Sequence, residues 1–543
     1  MNSKIVFLAG LFFAATQAFS ATPPKPNIIV ILADDMGYSD LGCYGSEIPT
    51  PNLDALAKDG LRFTQFYNTS RCCPSRAAIL TGLYSHEAGV GRMIENSGLP
   101  GYQGHLNDTC VTMAEVLRPA GYFTAMAGKW HVGGDHFAVT PWNRGFEHGL
   151  VSVRGGFYYA DKNADEKQNG TNGALWLDGK NIANDSPELP AHWYTTDLYT
   201  HYGLKYIDEA VAAKKPFFLY LAFNAPHYPL QAPAADIAKF RHGIYTNGWD
   251  KLRVARYERQ LAMGLIDPAW KLSPRPDEVK AWDNLAVERQ DHFEQMMSIY
   301  AACVWHLDKE VGELVASLKQ RGLLDNTLIL FLSDNGGNAE GGPAGTMNGT
   351  DPGGPDSMVK CGESWATLEN TPFRLYKHFE HEGGISSPLI VHWPAGITAK
   401  NELRNNPSHI VDIMATVADV AGATYPKTFN GQAILPLEGH SLKPAFANEP
   451  VTARDALFWE HEGNAAVREG DWKLVRRDAD GAWELYNLKI DRTELHDLAA
   501  AQPEQAKELL AKWNAWAKRT HVLPAPKYPA DYLSHHQVPA QAQ

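Results

Sequence analysis

Short apolar runs alternate with helix-forming stretches from Pro26 to about residue 437. Strands that are apolar along almost their whole length are typical of a parallel sheet, because helices cover both of its faces. A long helix is predicted from about residue 291 to residue 321, where apolar side chains recur at alternating spacings of four and three. Strands are predicted at 27–33, 123–127, 217–223, 327–332 and 388–393. The predicted fold class is α/β, with a large, mostly parallel sheet sandwiched by helices.

The pattern changes after residue 437, where short amphipathic strands are separated by turn residues. These strands are predicted at 456–460, 465–469, 472–476 and 483–486, and a helix begins at Pro503. We expect a smaller C-terminal α+β domain, an antiparallel sheet plus a helix, at 438–543 beside a larger α/β domain at 21–437. The segments 155–190 and 336–370 are rich in Gly, Asn, Asp and Pro and are predicted to be long functional loops.

The first 20 residues have the pattern of a secretory signal peptide. Lys4 supplies the positive end, residues 5–15 the apolar stretch, and Ala18-Phe19-Ser20 a small-x-small cleavage site. A membrane anchor is the alternative, but the apolar run is shorter than the roughly 20 residues that a spanning helix needs. We therefore expect a periplasmic or secreted protein without stable membrane insertion.

The composition of the chain excludes several classes of protein and of binding partner. The chain has 543 residues, 44% of them hydrophobic and 20% charged, which indicates a globular protein rather than a disordered one. A formal net charge of -13 argues against nucleic acid as a partner, because phosphate binding requires a basic face. An anionic ligand would need a local cationic pocket. The six cysteines contain no Cys-x-x-Cys pair and predict neither a zinc ribbon nor a disulfide scaffold.

Polar residues follow four of the predicted strands. Ligands of an open parallel sheet bind beyond the carboxyl ends of its strands, so these residues are candidates for a site. Alone, a strand-end Asp is more often a helix cap and a single His more often structural. Repetition along one edge favours a shared site. The residues are Asp34, Asp35, Lys129, His131, His227, Asp334 and Asn335.

The carboxylates and the amide among them suggest a metal site. Asp34, Asp35, Asp334 and Asn335 offer only oxygen donors, and crowded carboxylates would repel one another without a cation. Oxygen-only ligation favours Ca²⁺ or Mg²⁺ over Zn²⁺. His378 and His381 lack a zinc-site pattern and are interpreted as part of a polar helix face or loop.

The segment 71–82 is predicted to be a loop that enters a helix, with Pro74 near the first turn and Gly82 at the end. A nucleophile at that position would face an incoming anion together with the positive helix end. A tyrosine-phosphatase loop is excluded, because no arginine stands six residues after either cysteine. The alternative is a buried cysteine beside a helix end.

This segment resembles the signature of the type I sulfatases, within the alkaline-phosphatase-like superfamily. The signature is Cys-x-Pro-Ser-Arg, three residues, then Leu-Thr-Gly, and residues 72–82 match it at every specified position. The resemblance extends over nearly the whole mature chain and looks closest to bacterial arylsulfatases. It also covers Asp34-Asp35, Gly-Lys-Trp-His at 128–131, Ala-Pro-His at 225–227, Ser-Asp-Asn-Gly at 333–336 and Gly-Asp-Trp-Lys at 470–473.

The resemblance implies a reaction and a role for each residue. Cys72 would be converted to formylglycine by a formylglycine-generating or sulfatase-maturating enzyme, and its hydrated aldehyde would attack a small-molecule or glycan sulfate ester. Ca²⁺, or Mg²⁺, would be held by Asp34, Asp35, Cys72, Asp334 and Asn335. Arg76 would orient the nucleophile, Lys129 would contact the sulfate and His131 would accept a proton. His227 and Lys377 would act on the departing oxygen.

Two alternative functions and one departure accompany this hypothesis. A phosphonate monoester or phosphodiester hydrolase could share the same residues, and a non-catalytic anion- or glycan-binding protein would keep Cys72 as a thiol.

After Gly383-Gly384 many relatives have Ile or Val, Arg, one residue and Pro, whereas Ser386 and Ser387 precede Pro388 here. If that arginine buttresses the site in relatives, another group must replace it in this chain.

Overall fold

The computed structural model describes residues 24–135, 137–154, 158–159, 175–452 and 454–527. The predicted signal peptide at 1–20 lies outside the described residues. The strands are β1 Asn27–Ala33, β2 Leu61–Tyr67, β3 Phe123–Lys129, β4 His148–Ser152, β5 Leu175–Leu177, β6 Lys180–Ile182, β7 Phe217–Ala222, β8 Thr327–Ser333, β9 Thr346–Asn348, β10 Met358–Lys360, β11 Ser386–His392, β12 Glu402–Arg404, β13 Ser408–His409, β14 Thr428–Phe429, β15 Gln432–Ala433, β16 Leu457–His461, β17 Asn464–Glu469, β18 Trp472–Arg476 and β19 Trp483–Asn487.

The α-helices of the described residues range from one turn to nine turns. They are α1 Pro51–Lys58, α2 Cys72–Thr81, α3 Met113–Leu117, α4 Thr195–Ala212, α5 Ala234–Ile237, α6 Gly248–Ala262, α7 Val287–Gln320, α8 Glu363–Glu369, α9 Glu382–Ile385, α10 Asp412–Ala421, α11 Lys443–Phe446 and α12 Pro503–Arg519. Short 3₁₀ turns occupy Gly42–Tyr44, Trp142–Arg144, Ile244–Asn247, Trp282–Asn284 and Leu324–Asn326. The long helix α7 is the one predicted from the spacing of apolar residues.

The large sheet has the strand order β12-β2-β11-β8-β1-β7-β3-β4-β5-β6, and β13 also pairs with β2. Its centre is parallel: β8, β1, β7, β3 and β4 run in one direction. Strand β11 is antiparallel to both of its neighbours, β2 and β8. The prediction of a mostly parallel sheet is confirmed.

Helices cover both faces of this sheet and create two separate cores. Strand β1 contributes to both, because successive side chains of a strand point to opposite faces. Ile29 and Ile31 pack into the core that contains α4 and α7, whereas Ile28, Val30 and Leu32 pack into the core that contains α2, α3 and α10. Burial on both faces explains why the strand is almost entirely apolar in sequence.

The second sheet is antiparallel, with the order β16-β17-β18-β19. Helix α12 lies against β17 and β18 and buries Leu509, Trp513 and Trp516 there. Trp516 also stacks on Phe458, with the ring centroids 5.1 Å apart. The prediction of a C-terminal antiparallel sheet with one helix is confirmed.

The two predicted loop segments contain more regular structure than their composition indicates. Within 336–370, strands β9 and β10 form an antiparallel hairpin and α8 follows them. Within the described part of 155–190, strands β5 and β6 extend the edge of the large sheet. Hairpins with Gly and Asp at their turns have the composition of loops, so the sequence pattern could not distinguish hairpins from loops. Across the described residues, no helix is long and apolar enough to cross a membrane.

A buried histidine joins α7 to α4 and α5, away from the strand ends. His306 is hydrogen-bonded through Nδ1 to Asp236 and through Nε2 to Asp197, each at 2.6 Å. Glu310 and Lys309 lie beside it. Burial alone would lower the pKa of His306, but the hydrogen bonds and charges of the two aspartates outweigh it and raise the pKa. The imidazolium form is therefore stabilised by folding.

We predict that His306→Gln, which keeps a neutral hydrogen-bonding side chain, destabilises the protein most at low pH. Because the pKa of His306 is raised in the folded state, its stabilising effect is fully present below about pH 6.5 and is lost as pH rises through the folded pKa. Unfolding midpoints of both proteins at pH 6 and pH 9 should differ more at pH 6. The exposed His201→Gln on α4 is the control, and a gap that widens at pH 9 would contradict the assignment.

Candidate active site

The centre of the site is formed by the ends of two neighbouring parallel strands. Strands β1 and β8 pair in a register that sets Ala33 opposite Ser333, so the residues that follow them, Asp34 and Asp334, lie side by side. The backbone N–H of Asp35 donates to Asp334 Oδ1 at 3.2 Å. All three aspartates are buried. The sheet register alone therefore places three carboxylates in one buried space.

Two buried cations compensate this charge on one side. Lys129, at the end of β3, places Nζ 2.6 Å from Asp34 Oδ2. Arg76, on α2, places Nη2 2.8 Å from Asp334 Oδ2 and 3.4 Å from Asp34 Oδ2. Arg76 also donates to the backbone oxygen of Lys129 at 3.1 Å, which ties α2 to the end of β3. The repulsion expected from the sequence is thus partly offset by the protein itself.

Asp35 is contacted from the opposite side. Lys377 Nζ lies 2.8 Å from its Oδ1, and His227 Nε2 lies 3.5 Å from its Oδ2. The amides of Asn335 and Asn338 donate to the two carboxylate oxygens at 2.6 Å each. Asp35 adopts a left-handed backbone conformation with φ of 65°, which costs about 1–2 kcal/mol in a non-glycine residue. Such a conformation is common at functional sites.

Cys72 is the first residue of α2, and its side chain is 2% exposed. The predicted loop-to-helix boundary is therefore confirmed, and the helix ends at Gly82 in the left-handed conformation, as predicted. A hydrogen bond from Cys73 lowers the pKa of the Cys72 thiol well below its usual value; burial opposes this, and Lys129 and His131 add to it. Burial raises the pKa of Cys73. The two adjacent cysteines thus differ strongly in acidity.

His131 lies directly beside Cys72. The Cys72 sulfur and a ring nitrogen of His131 are within 4.8 Å of each other. Burial and the charge of the neighbouring Lys129 together lower the pKa of His131 to about 4. His131 has φ of 57°, a second left-handed residue in the site. A neutral imidazole beside residue 72 is able to accept a proton.

The aspartates differ in acidity. Burial would raise the pKa of Asp34, but Lys129, His227 and Arg76 outweigh it and hold the pKa below the ordinary value. Burial raises the pKa of Asp334 well above its ordinary value, and the charge of Asp34 adds to that effect. Removal of Arg76 would therefore leave both carboxylates poorly compensated.

The residues present fit a hard divalent cation. The oxygens Asp34 Oδ1 and Asn335 Oδ1 are buried and have no hydrogen-bond partner among the described residues. Ligand atoms of Asp34, Asp35 and His227 lie within 4.8 Å of one another. Aspartate and amide oxygens are the donors that Ca²⁺ and Mg²⁺ prefer. The structure thus supports a metal-binding group of residues here.

The structure brings all the sequence-predicted site residues together and adds others that the sequence did not indicate. Asn338 contacts Asp35, as described above. Glu340 lies 3.7 Å from Lys377 and forms a short ion pair with Arg71. Burial would raise the pKa of Glu340, but Arg71 and Lys377 hold it well below its usual value. Asn338 and Glu340 do not belong to a motif with recognisable spacing. The loop-like composition of residues 336–370 was the only feature of the sequence that indicated a functional role for them.

His378 and His381 lie in a loop and at the start of α9, as interpreted, but both are buried. His378 Nδ1 is 3.4 Å from Glu462, and His381 Nε2 is 3.3 Å from Glu484. Both partners belong to the segment that carries the C-terminal sheet. These histidines therefore fasten the loop that carries Lys377 to that sheet.

This fold and site define a class of protein. Carboxylates at the ends of parallel strands, a nucleophile position at a helix N-terminus and surrounding cations are the arrangement of an alkaline-phosphatase-like hydrolase that acts on an oxyanion ester. A family model described as Sulfatase matches residues 26–423. A second model, described as N-sulphoglucosamine sulphohydrolase, C-terminal, matches residues 373–516.

Individual relatives agree with the family models. The chain is 34% identical over 542 residues to an uncharacterized sulfatase of Schizosaccharomyces pombe, covering 93% of this chain and 96% of that protein. It is 35% identical over 460 residues to an arylsulfatase of Klebsiella aerogenes, covering 81% and 96%. The solved structure of Ps i-CgsB in complex with k-i-k-neocarrahexaose matches with a TM-score of 0.66 and 28% identity, covering 94% and 97%. The chain belongs to the sulfatase family and is an enzyme that hydrolyses sulfate esters.

We predict that Arg76→Met destabilises the protein by about 3–5 kcal/mol, because it leaves two buried carboxylates without their shared cation. Denaturant unfolding followed by circular dichroism would measure the change. Arg118→Met is the control, since Arg118 is 56% exposed and lies 3.7 Å from Glu147; it should change stability by less than about 0.5 kcal/mol. Equal effects of the two substitutions would contradict the importance of the buried pair.

Proposed function

We propose that the protein is a formylglycine-dependent sulfatase that releases inorganic sulfate from an aryl or carbohydrate sulfate ester with the help of Ca²⁺, or Mg²⁺. The observation that carries the proposal is the position of Cys72. Cys72 is the first residue of a complete sulfatase signature and also the first residue of α2, and it lies beside Lys129 and His131. A hydrated aldehyde at this position would offer two hydroxyls on one carbon to the sulfur of a bound ester.

The metal would be held by Asp34, Asp35, Asp334, Asn335 and the modified residue 72. When bound, it would supply positive charge to the sulfate oxygens and to the attacking hydroxyl. The oxygen donors without partners on Asp34 and Asn335 support this assignment. Arg76, fixed by Asp334 and the Lys129 backbone, would orient the modified residue.

The protein cations would divide between the two sides of the sulfur. Lys129 would bind the sulfate oxygens that every substrate shares. Lys377 and His227 would face the oxygen of the leaving group, and Lys377 is kept as a cation because Asp35 and Glu340 outweigh its burial and raise its pKa. Charge-stabilising donors of this kind contribute most where negative charge develops in the transition state.

Turnover would use one hydroxyl of residue 72, which would give its proton to a neighbouring aspartate, to form a bond to sulfur while the bond from sulfur to the leaving-group oxygen breaks and His227 or Lys377 protonates that oxygen. The second hydroxyl would then lose its proton to His131, and the carbon–oxygen bond to sulfate would break as the aldehyde reforms. Water would add to the aldehyde and restore the two hydroxyls. His131 suits this task because it lies next to residue 72 and its pKa is lowered to about 4, so that it is neutral at physiological pH.

The substrate class is supported by the likeness to Ps i-CgsB, which was solved in complex with k-i-k-neocarrahexaose. We infer that the substrate of this chain is also a small-molecule or glycan sulfate ester.

We further propose that residues 1–20 are a cleaved signal peptide of a periplasmic or secreted protein and that a maturation enzyme converts Cys72. The boundary between the two domains would lie near residues 437 and 438. The start of the C-terminal sheet at Leu457 is compatible with that boundary.

The proposal is tested by co-expression with a formylglycine-generating or sulfatase-maturating enzyme. Mass spectrometry of the peptide that contains Cys72 should detect the aldehyde at Cys72 and not at Cys73, because Cys72 alone has proline and arginine at the signature spacing. Cys72→Ala should lower sulfate release from nitrophenyl sulfate by at least about 10⁴-fold. Cys73→Ala is the matched control and should keep the modification and the activity.

Two outcomes would contradict this assignment. The first is full activity with an unmodified Cys72. The second is a higher kcat/KM on bis(nitrophenyl) phosphate than on any aryl or sugar sulfate, which would favour a phosphodiester hydrolase.

We predict that metal removal lowers activity and stability together, because the cation neutralises carboxylates that are also fixed by folding. Chelation should reduce both the rate and the unfolding temperature, and added Ca²⁺ should restore both. Calcium at 100 times its Kd should stabilise the protein by about 2.7 kcal/mol. Asp35→Asn should weaken this effect, whereas the exposed Asp59→Asn should not. Unchanged calcium affinity in Asp35→Asn would refute the ligand set.

A further inference from the structure

A buried arginine reaches from the C-terminal segment into the large sheet. Arg492 follows β19 and is completely buried. Its three guanidinium nitrogens donate to three different elements: Nε to Glu382 Oε2 at 2.7 Å, Nη1 to the Thr64 backbone oxygen at 2.7 Å and Nη2 to Ser386 Oγ at 3.2 Å. One side chain therefore joins β2, the start of α9 and the start of β11.

Glu382 is the anionic centre of this junction. Besides Arg492, its carboxylate accepts from Lys473 Nζ at 3.0 Å and from the Tyr67 hydroxyl at 3.0 Å. Burial would raise the pKa of Glu382, but Lys473 and Arg492 outweigh it and lower the pKa to about 2. The carboxylate is thus charged and depends on both cations, and loss of one leaves a buried charge only partly compensated.

Helix α9, which begins at Glu382, contacts the loop that follows β8 and carries Asn335. The backbone N–H of Gly336 donates to the Gly384 oxygen at 3.0 Å, and a Cβ atom at Gly336 would lie 2.0 Å from the Gly383 oxygen. Gly336 directly follows Asn335. The backbone N–H of Lys377 donates to the oxygen of Gly337 at 3.1 Å. A shift of α9 would therefore move Asn335 and Lys377 together.

The junction also includes Ser386, the first residue of β11. The guanidinium of Arg492 contacts the Ser386 hydroxyl directly. The side chain of Ser386 also donates to Glu382 at 3.1 Å. We propose that Arg492 is a positioning residue that joins β2, α9 and β11 and, through Glu382 and α9, fixes Lys377 and Asn335. This inference rests on the proposed roles of Lys377 and Asn335.

The test relocates the guanidinium in the full-length protein. Arg492→Ser, Arg492→Lys and the double variant Arg492→Ser with Ser386→Arg are compared with wild type for kcat and KM on nitrophenyl sulfate and on a sugar sulfate. Arg492→Ser should lower kcat by about 10- to 100-fold, as expected when catalytic groups are misplaced by about 1 Å. KM should change less than kcat, and the loss should be larger for the sugar sulfate, whose leaving oxygen depends on Lys377.

The double variant is the decisive arm. Because it returns a guanidinium to the same junction from the other chain segment, it should recover at least about a tenth of the wild-type kcat and exceed Arg492→Ser. Arg492→Lys keeps the charge without the three-way geometry and should fall between Arg492→Ser and wild type. The control is Arg404→Ser, since Arg404 is a buried arginine on the edge strand β12 that bonds to the Ala445 backbone and to Glu402. It should lower the unfolding temperature without changing kcat.

Several results would overturn the inference. Arg492→Ser with reduced stability but unchanged kcat would leave Arg492 a purely structural role. A double variant that is folded but no more active than Arg492→Ser would also show a purely structural role for Arg492. Failure of every Arg492 variant to fold would lead to the same conclusion. A wild-type enzyme without sulfatase activity, or Lys377→Ala with equal losses on both substrates, would instead overturn the proposed function or the role of Lys377.

Discussion

The structure of this sulfatase depends on one electrostatic constraint, the crowding of carboxylates at the ends of β1 and β8. The parallel register of these strands leaves Asp34 and Asp334 adjacent and fully buried. Isolated charges in such a place would cost several kcal/mol each. Their neutralisation by Arg76 and Lys129 at 2.6–3.4 Å is therefore a condition for folding as well as for chemistry.

The compensating groups come from distant parts of the chain, which explains why the chemically informative motifs are so dispersed. Lys129 is 95 residues from Asp34, and Lys377 is 342 residues from Asp35. Lys129 is the last residue of β3, and Lys377 lies in the loop before α9 and β11. Because the carboxyl ends of parallel strands meet at one edge, residues at strand ends could be assigned to a common site from the sequence alone. The central strands and the long helix α7 were predicted from the spacing of apolar residues, and the strand-end residues from their positions. Cys72, Arg76 and Lys377 were assigned to the site only through the resemblance to sulfatases.

Other features had no periodic signal in the sequence. The hairpin of β9 and β10 has the composition of a loop, and its strands are three residues long. Asn338 contacts Asp35 only because the chain turns back after β8. Arg492 is 110 residues from Glu382, and nothing in the polar segment around it distinguishes a buried arginine from an exposed one. Long-range contacts between charged side chains are set by tertiary packing, which the spacing of residues does not encode.

The contribution to folding stability does not by itself explain the buried charges around Glu382. Lys473, Arg492, Glu382 and Glu494 are all completely buried, and apolar residues of similar volume in place of buried ion pairs are often neutral or stabilising. The charged groups add geometric specificity, because a guanidinium whose donors have fixed directions can bind its three partners in only one arrangement. The C-terminal sheet therefore docks in one position, and α9 is fixed by the same contacts. The geometry around Lys377 is in this way determined by a segment more than a hundred residues further along the chain.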